Sequence, residues 1–329
     1  MKEKIIKYLK DNKESFMSGQ QISEKLGISR TSVWKHINQL KAEGYDIKSF
    51  SRKGYKLMDI PDILTEGEIK DMLNTKFIGK HIVHFDTVKS TNVKSKELAE
   101  EGALEGTVIL SEEQIGGRGR LGRDWISPKG KGIWMSVILK PNIDPIHASK
   151  ITQIAAAAVY DGIKNIGLDP GIKWPNDIVL NEKKVCGILT EMSGELNKIN
   201  YIVVGIGINV NLNENDIPNE IKDKATSILI EKGSKEDRKK LVSNILNKFE
   251  ILYDEFIESG KLTETIDICR EGSVLLGKEI RILSQGKEKD RAMAVDIDDN
   301  GQLIVEYRDK RREKLFSGEI SIRGINGYF

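Results

Sequence analysis

The chain has 329 residues, 39% hydrophobic and 31% charged, which is the profile of a soluble globular protein with room for two or three domains. No apolar run reaches the ~18–20 residues that cross a bilayer, Met1-Lys2-Glu3-Lys4 opens no signal peptide, and Cys186 and Cys269 give neither a disulfide framework nor a zinc spacing, so a reducing cytoplasm is expected. Net charge is only +2, but residues 1–58 hold thirteen Lys/Arg against six Asp/Glu, leaving −5 on the other 271 residues. Nucleic acid is therefore expected to meet the first part alone.

Residues 1–60 read as a winged helix-turn-helix. Ile5, Ile6 and Leu9 mark one face of a first helix. Ser18 and Gln21 fit a capping box for a second helix, whose buried stripe is Ile22 and Leu26. Gly27 makes the turn, Ser29 caps a third helix along Val33, Ile37 and Leu40, and Gly44 ends it. Two short strands then flank a basic wing containing Arg52 and Lys53. A linker with Pro61 follows, and Thr65 with Glu68 predicts a second capping box opening a helix through Ile69 and Leu73. His81 and His84 sit three apart on a predicted strand and face opposite ways, which argues against a metal site.

Strands are predicted at 81–86, 107–112, 132–139, 171–174, 177–180, 184–192 and 201–210. Helices are predicted at 148–166 and 238–259, with an acidic loop over 214–223 between them. Beyond residue 271 the text becomes short alternating strands at 279–283, 291–297, 303–307 and 319–323, with turns at Gly286 and Asn300-Gly301. That reads as a small β-barrel.

Residues 116–134 read G-G-R-G-R-L-G-R-D-W-I-S-P-K-G-K-G-I-W. Gly117, Gly119 and Gly122 match the dinucleotide fingerprint formally, but Pro128 and further glycines forbid the helix that fingerprint needs. No Gly-Lys is followed by Ser or Thr, so there is no P-loop. Arg118, Arg120 and Arg123 alternate with the glycines, so backbone amides and guanidinium groups can converge on one anion. Trp125 and Trp134 would suit a lid over a planar base.

This loop resembles the ligand-binding loop of the biotin protein ligases. Four further matches fall in order: Lys89-Ser90-Thr91-Asn92; Lys173-Trp174-Pro175-Asn176-Asp177 with Lys184 and Gly187; Gly205-Ile206-Gly207-Ile208-Asn209-Val210; and Gly318-Glu319-Ile320-Ser321-Ile322-Arg323. The resemblance covers nearly the whole chain, and the winged helix is similar to that of the bifunctional subgroup, which also represses transcription. It implies an α+β chain of three parts: the DNA-binding module at 1–60, a mixed α/β biotin/lipoate-ligase-like catalytic domain at 65–270, and an SH3-like β-barrel at 271–329.

The resemblance also implies roles. Biotin would be held by Ser90, Thr91, Asn92, Gln114, Arg118, Gly119, Arg120 and Lys184, and ATP or the adenylate by Arg120, Arg123, Trp125, Lys173, Asn176, Lys184 and Asn209. Lys184, Arg118 and Arg120 would be catalytic, Lys184 rather than Lys183 because strand neighbours point oppositely. Lys173 reads either as a second such cation or as a salt-bridged strand end. Asp177 reads as an orienter of a lysine or of a magnesium-bound water; no metal ligands are assigned. DNA would meet Ser29, Arg30, Thr31, Ser32, Lys35, His36, Arg52 and Lys53. The implied ligands are ATP, Mg²⁺, biotin and biotinyl-5′-AMP, the last also as corepressor. The implied partners are a biotin carboxyl carrier protein, operator DNA and a second copy of the chain, with no membrane. A lipoate protein ligase and a ligand-sensing transcription factor without ligase activity remain as other readings.

Overall fold

The computed structural model describes residues 1–329 apart from 43, 196–197, 285–286, 317–319 and 325–329. It divides into two compact units, Met1–Ile63 and Leu64–Phe329. Among the described residues no helix is long and apolar enough to cross a membrane.

In the first unit, α1 (Lys2–Asp11), α2 (Gly19–Leu26) and α3 (Arg30–Ala42) precede a two-stranded wing, β1 (Asp46–Phe50) and β2 (Gly54–Asp59). Ile5, Leu9, Ile22, Val33, Ile37 and Leu40 form its core with Ile47 and Leu57 from the wing. Both halves of the Ser18–Gln21 capping box are present. Ser29 Oγ accepts from the Ser32 N–H at 3.1 Å and so caps α3. Gly54 has φ +105°, and a Cβ there would lie 2.3 Å from Met17 O. Only glycine lets the wing approach closely enough for Met17 and Tyr55 to exchange 2.8 Å backbone bonds.

The second unit opens with α4 (Glu66–Ile69), which corrects the expectation of a capped helix through Leu73. Thr65 makes no side-chain cap bond, Glu68 is buried, and the chain passes into a 3₁₀ turn and is extended at Leu73. The elements that follow are β3 (Ile82–Val88), α5 (Thr91–Glu100), β4 (Val108–Gln114), β5 (Gly132–Leu139) and α6 (Ala148–Lys164). After them come β6 (Gly171–Lys173), β7 (Asp177–Leu180), β8 (Lys183–Glu195) and β9 (Lys198–Asn209), then α7 (Ile228–Lys232), α8 (Arg238–Ser259) and α9 (Thr263–Glu271). The sheet order is β3-β4-β5-β9-β8-β7-β6, antiparallel except for the β3–β4 pair.

The period of two decides what each face carries. Ile133, Met135, Val137 and Leu139 of β5 and Ile202, Val204, Ile206 and Ile208 of β9 join the large core with α6 and α8. Ile138 and Val203 pack with Ile109 and Ala99 of α5 on the other face. The sequence reading missed α5 because its buried side is Thr91, Asn92, Ser95 and Ala99, which leaves almost no hydrophobic stripe.

The C-terminal strands are β10 (Glu279–Ser284), β11 (Lys287–Ile297), β12 (Leu303–Glu306), β13 (Arg312–Leu315) and β14 (Ile320–Gly324). They form an antiparallel sheet in the order β13-β12-β11-β10-β14. Among the described residues no ladder joins β13 to β14, so closure into a barrel is not part of this pairing. Gly286, Gly318 and Glu319 lie outside the described residues. Ile280, Ala292, Ile297 and Leu303 share one core with the seven-stranded sheet. Trp174 Nε1 donates to Gly301 O at 2.9 Å, tying the K-W-P-N-D segment to the turn between β11 and β12.

Candidate active site and DNA-facing helix

A cleft of about 600 Å³ opens on the α5 face of the sheet. Its floor is made of glycines. Gly205 and Gly207 of β9 share that face, and Gly187 of β8 pairs with Gly207 in register. A Cβ at 205 would lie 2.1 Å from Asn92 Oδ1, and one at 207 would lie 2.6 Å from Trp125 Nε1. Every residue assigned above to catalysis, biotin or nucleotide lines this one cleft.

At one end stands a network of neutral polar groups. Gln114 Oε1 accepts from the Thr91 N–H at 2.8 Å and lies 3.1 Å from Thr91 Oγ1, while Gln114 Nε2 donates to Ser127 Oγ at 2.9 Å. Ser136 Oγ sits 2.7 Å from both Thr91 Oγ1 and Asn92 Oδ1. Asn92 Nδ2 donates to Glu191 at 2.8 Å and to Leu189 O at 3.2 Å, so its amide is bonded to protein at both ends. Ser90 precedes α5 without capping it.

At the other end the charges are mostly cationic. Arg118, Arg120 and Arg123 line it from the loop, and Arg120 Nη1 donates to Asn176 Oδ1 at 2.7 Å. Asn176 Nδ2 donates to Ile188 O at 3.0 Å, and Asn209 Nδ2 to Thr226 O at 2.9 Å. Lys184 Nζ lies 2.5 Å from Asp177 Oδ1 and 5.2 Å from the centre of the Trp125 ring. Trp125 Nε1 is buried with no hydrogen-bond partner among the described residues. Lys173 is 5% exposed; burial pushes its ammonium down to about 7, with Lys184, Arg323 and Arg123 adding to the shift and Asp177 opposing it. Burial also lowers the Arg120 guanidinium from its ordinary value.

Two features differ from the sequence reading. Trp134 is no lid: β5 is central and covered on both faces, so its indole is fully buried against Leu212 and Ile217. The acidic loop, in turn, is part of the cleft wall through Asp216, Ile217, Pro218, Glu220, Ile221 and Lys224. Backbone bonds fix it beside the hairpin, Lys184 N–H to Lys224 O at 2.8 Å and Thr226 N–H to Lys184 O at 2.9 Å. Arg323 also lines the cleft, from β14. Only the G-E-I-S-x-R match hinted at that.

In the first unit α3 buries Val33, Ile37 and Leu40 and turns Arg30, Thr31 and Lys35 outward, with Ser29, Arg52 and Lys53 also exposed. Ser32 and His36 are half-buried, and His36 Nδ1 lies 2.9 Å from Gln39 Oε1. The sequence reading passed over Trp34, which is 59% exposed one turn after Arg30. Its signal was present: a tryptophan off the buried 33/37/40 stripe.

A glycine-floored cleft with a neutral polar end and a cationic end, on this sheet, defines a ligase of the biotin/lipoate type, here carrying a helix-turn-helix unit. Residues 84–209 match the biotin/lipoate A/B protein ligase family, residues 2–56 an HTH domain, and residues 275–323 the biotin protein ligase C-terminal domain. The bifunctional ligase/repressor BirA of Bacillus subtilis is 39% identical over 98% of this chain and 98% of its own length. The Escherichia coli protein of the same name is 29% identical over 94% of this chain and 93% of its own. The biotin protein ligase from Aquifex aeolicus in complex with biotin and ATP superposes with a TM-score of 0.64 at 30% identity, covering 74% of this chain and 99% of that one. The chain belongs to the bifunctional biotin ligase/repressor family.

Proposed function

We propose that the chain ligates biotin to a lysine of a biotin carboxyl carrier protein through biotinyl-5′-AMP, and represses transcription with that adenylate as corepressor. The observation that carries this is one cleft joining the Thr91–Gln114–Ser136 network to the Lys184–Asp177 pair beneath Trp125. Residues 65–270 with 271–329 carry ligation, and residues 1–60 carry DNA recognition.

A biotin carboxylate oxygen attacks the α-phosphorus of ATP, and the bond to pyrophosphate breaks. Arg118, Arg120 and Lys184 offset the charge that gathers there, in a site Trp125 shields from water. The acceptor lysine, as neutral amine, then attacks the acyl carbon; the amide forms, AMP leaves and the amine proton passes to solvent. Among the described residues no three His, Cys, Asp or Glu side chains are grouped to hold a metal. Asp177 and Asn209, oxygen donors that line the cleft, would be the residues to hold a magnesium ion brought in with ATP. Such an ion would further offset phosphate charge. The two thiols, buried and unpaired, suit a reducing cytoplasm.

Incubation with ATP, labelled biotin and an apo carrier tests the reading. Label on the carrier is expected with biotin and not with lipoate; label with lipoate alone means a lipoate ligase, and no label with DNA binding intact means a sensor. The loop over 116–131 is expected to order on its anions. Protease cutting within it should slow several-fold on adding biotin and ATP, and equal rates would oppose that.

Repression follows from the +7 charge of residues 1–58 and the outward face of α3. Arg30, Thr31, Ser32, Lys35 and His36 enter the major groove with Trp34 beside them, Ser29 holds the helix start, and Arg52 and Lys53 meet the backbone. One module buries too little for strong specificity, so a dimer reads a two-fold site. Loops ordered by the adenylate no longer lose that entropy on dimerising, which strengthens dimer and operator binding together. In a mobility-shift titration at fixed salt, Arg30→Ala should weaken DNA binding by roughly tenfold and spare ligation. Operator affinity unchanged by biotin plus ATP would defeat the repressor half alone.

A further inference from the structure

Away from the cleft, buried charge gathers on Glu112 of β4, two residues before Gln114. Its Oε2 lies 2.9 Å from Arg238 Nη2, at the start of α8. Its Oε1 accepts from the Leu64 N–H at 2.8 Å and lies 3.1 Å from His84 Nε2. Arg238 is fully buried and donates from Nη1 to Gly132 O at 2.9 Å. The backbone carbonyl of Glu112 accepts from the Gly130 N–H at 3.0 Å. Burial raises the Glu112 carboxyl, but His84, Arg238 and the Leu64 amide outweigh it and hold the group below its ordinary value, so it is an anion.

These contacts converge on the glycine-arginine loop. Glu112 leads into it through Gln114, and Gly130 and Gly132 lead out. Within the loop the backbone is held thinly, for example by Gly119 N–H to Arg123 O at 2.7 Å and Trp125 N–H to Gly117 O at 2.9 Å. Its stem, closed also by Gln114 N–H to Ser127 O at 3.1 Å, therefore helps to set where its arginines go, together with the Arg120–Asn176 bond. A buried ion pair is a poor source of stability compared with an apolar pair of the same shape. This pair spends its hydrogen bonds on the loop's exit and on the first residue of the unit. Neither Glu112 nor Arg238 lines the cleft, so neither touches substrate.

We propose that Glu112 and Arg238 are positioning residues for ligation: the pair fixes both ends of the ligand loop so that Gln114, Arg118 and Arg120 meet biotin in one geometry. The proposal rests on the ligase reading above.

The test uses the full chain with Glu112→Gln and Arg238→Met together, which removes both charges while the glutamine amide oxygen still accepts from Leu64. Three quantities are measured: the urea midpoint, kcat and KM for biotin by pyrophosphate release, and protease cutting of the loop with and without ligand. The urea midpoint should stay near the parent's, KM for biotin should rise about tenfold and kcat, which also depends on Arg118 and Arg120, should fall several-fold, the size of coupling changes carried by supporting residues. Ligand-free cutting should quicken several-fold. Arg238→Lys, which keeps the charge and loses the forked geometry, should fall between. Parental KM and parental cutting in the double variant overturn the proposal; if that variant does not fold, parental values for Arg238→Lys do so. A parent without biotin-dependent pyrophosphate release sinks the ligase reading instead, and ligand-free cutting still decides the stem.

Discussion

Lys184→Ala should slow adenylation on the order of 10²-fold or more, while Lys183→Ala stays within a few-fold of the parent. The two lysines differ in what they meet. Lys184 Nζ is held 2.5 Å from Asp177 and under the Trp125 ring, in the cleft that also holds Arg120. A charge fixed before the reaction costs no reorganisation when negative charge develops, which is why removing one such group has a large effect. Lys183 pairs with Leu180 at the hairpin turn and does not line the cleft. Single-turnover rates at saturating ATP would separate the two. A crippled Lys183→Ala with a mild Lys184→Ala would put the wrong lysine at the phosphate.

Lys173→Met should stabilise the protein below pH 7 and weaken adenylation about tenfold or more. In the unfolded chain this lysine titrates near ~10.4; in the folded chain burial brings it to about 7. Between those values the unfolded chain holds a proton that the folded chain does not, so stability rises with pH across that window. Below about 7 both states are charged and the net cost of the buried charge, on the order of 5 kcal/mol, is felt in full. The methionine variant carries no such cost. Its Tm should exceed the parent's by several degrees at pH 6, and the gap should close toward pH 10. An adenylate phosphate meeting this ammonium would offset the cost in the parent, so the stabilised variant should be the weaker enzyme. Equal Tm values at pH 6 would mean that the ammonium is not paying for its burial.

Much of this was legible in the chain because short-range patterns carry it. The runs that became α6 and α8 are long and apolar enough to read directly, and the Ser18–Gln21 box is a spacing of three. The cleft residues were legible through motifs, short strings that keep their ligand-facing residues a few positions apart whether on a strand, at the start of α5 or in the loop. The remainder depends on residues far apart in the chain. Helix α5 hides its register because polar side chains are buried on it, where Ser136 of another strand meets Thr91 and Asn92. Trp134 follows the same loop as Trp125 yet goes to the core, because it lies within a central strand rather than before it. The wall formed by residues 212–224 is set by its backbone pairing to Lys184, and nothing local in an acidic stretch announces such a partner.

The three floor glycines make variation in this cleft one-sided. Glycine is already the smallest residue, so no substitution at 187, 205 or 207 can deepen the space, and every one makes it shallower. A lineage drifting toward a different acid cannot begin there. It must work through the walls, at Asn92 and Leu189, whose side chains can still shrink, and through Ser136 behind Asn92, which can change partner. The floor is thus a boundary on which acids descendants of this chain can take up, and new selectivity is to be sought in the contacts around Asn92.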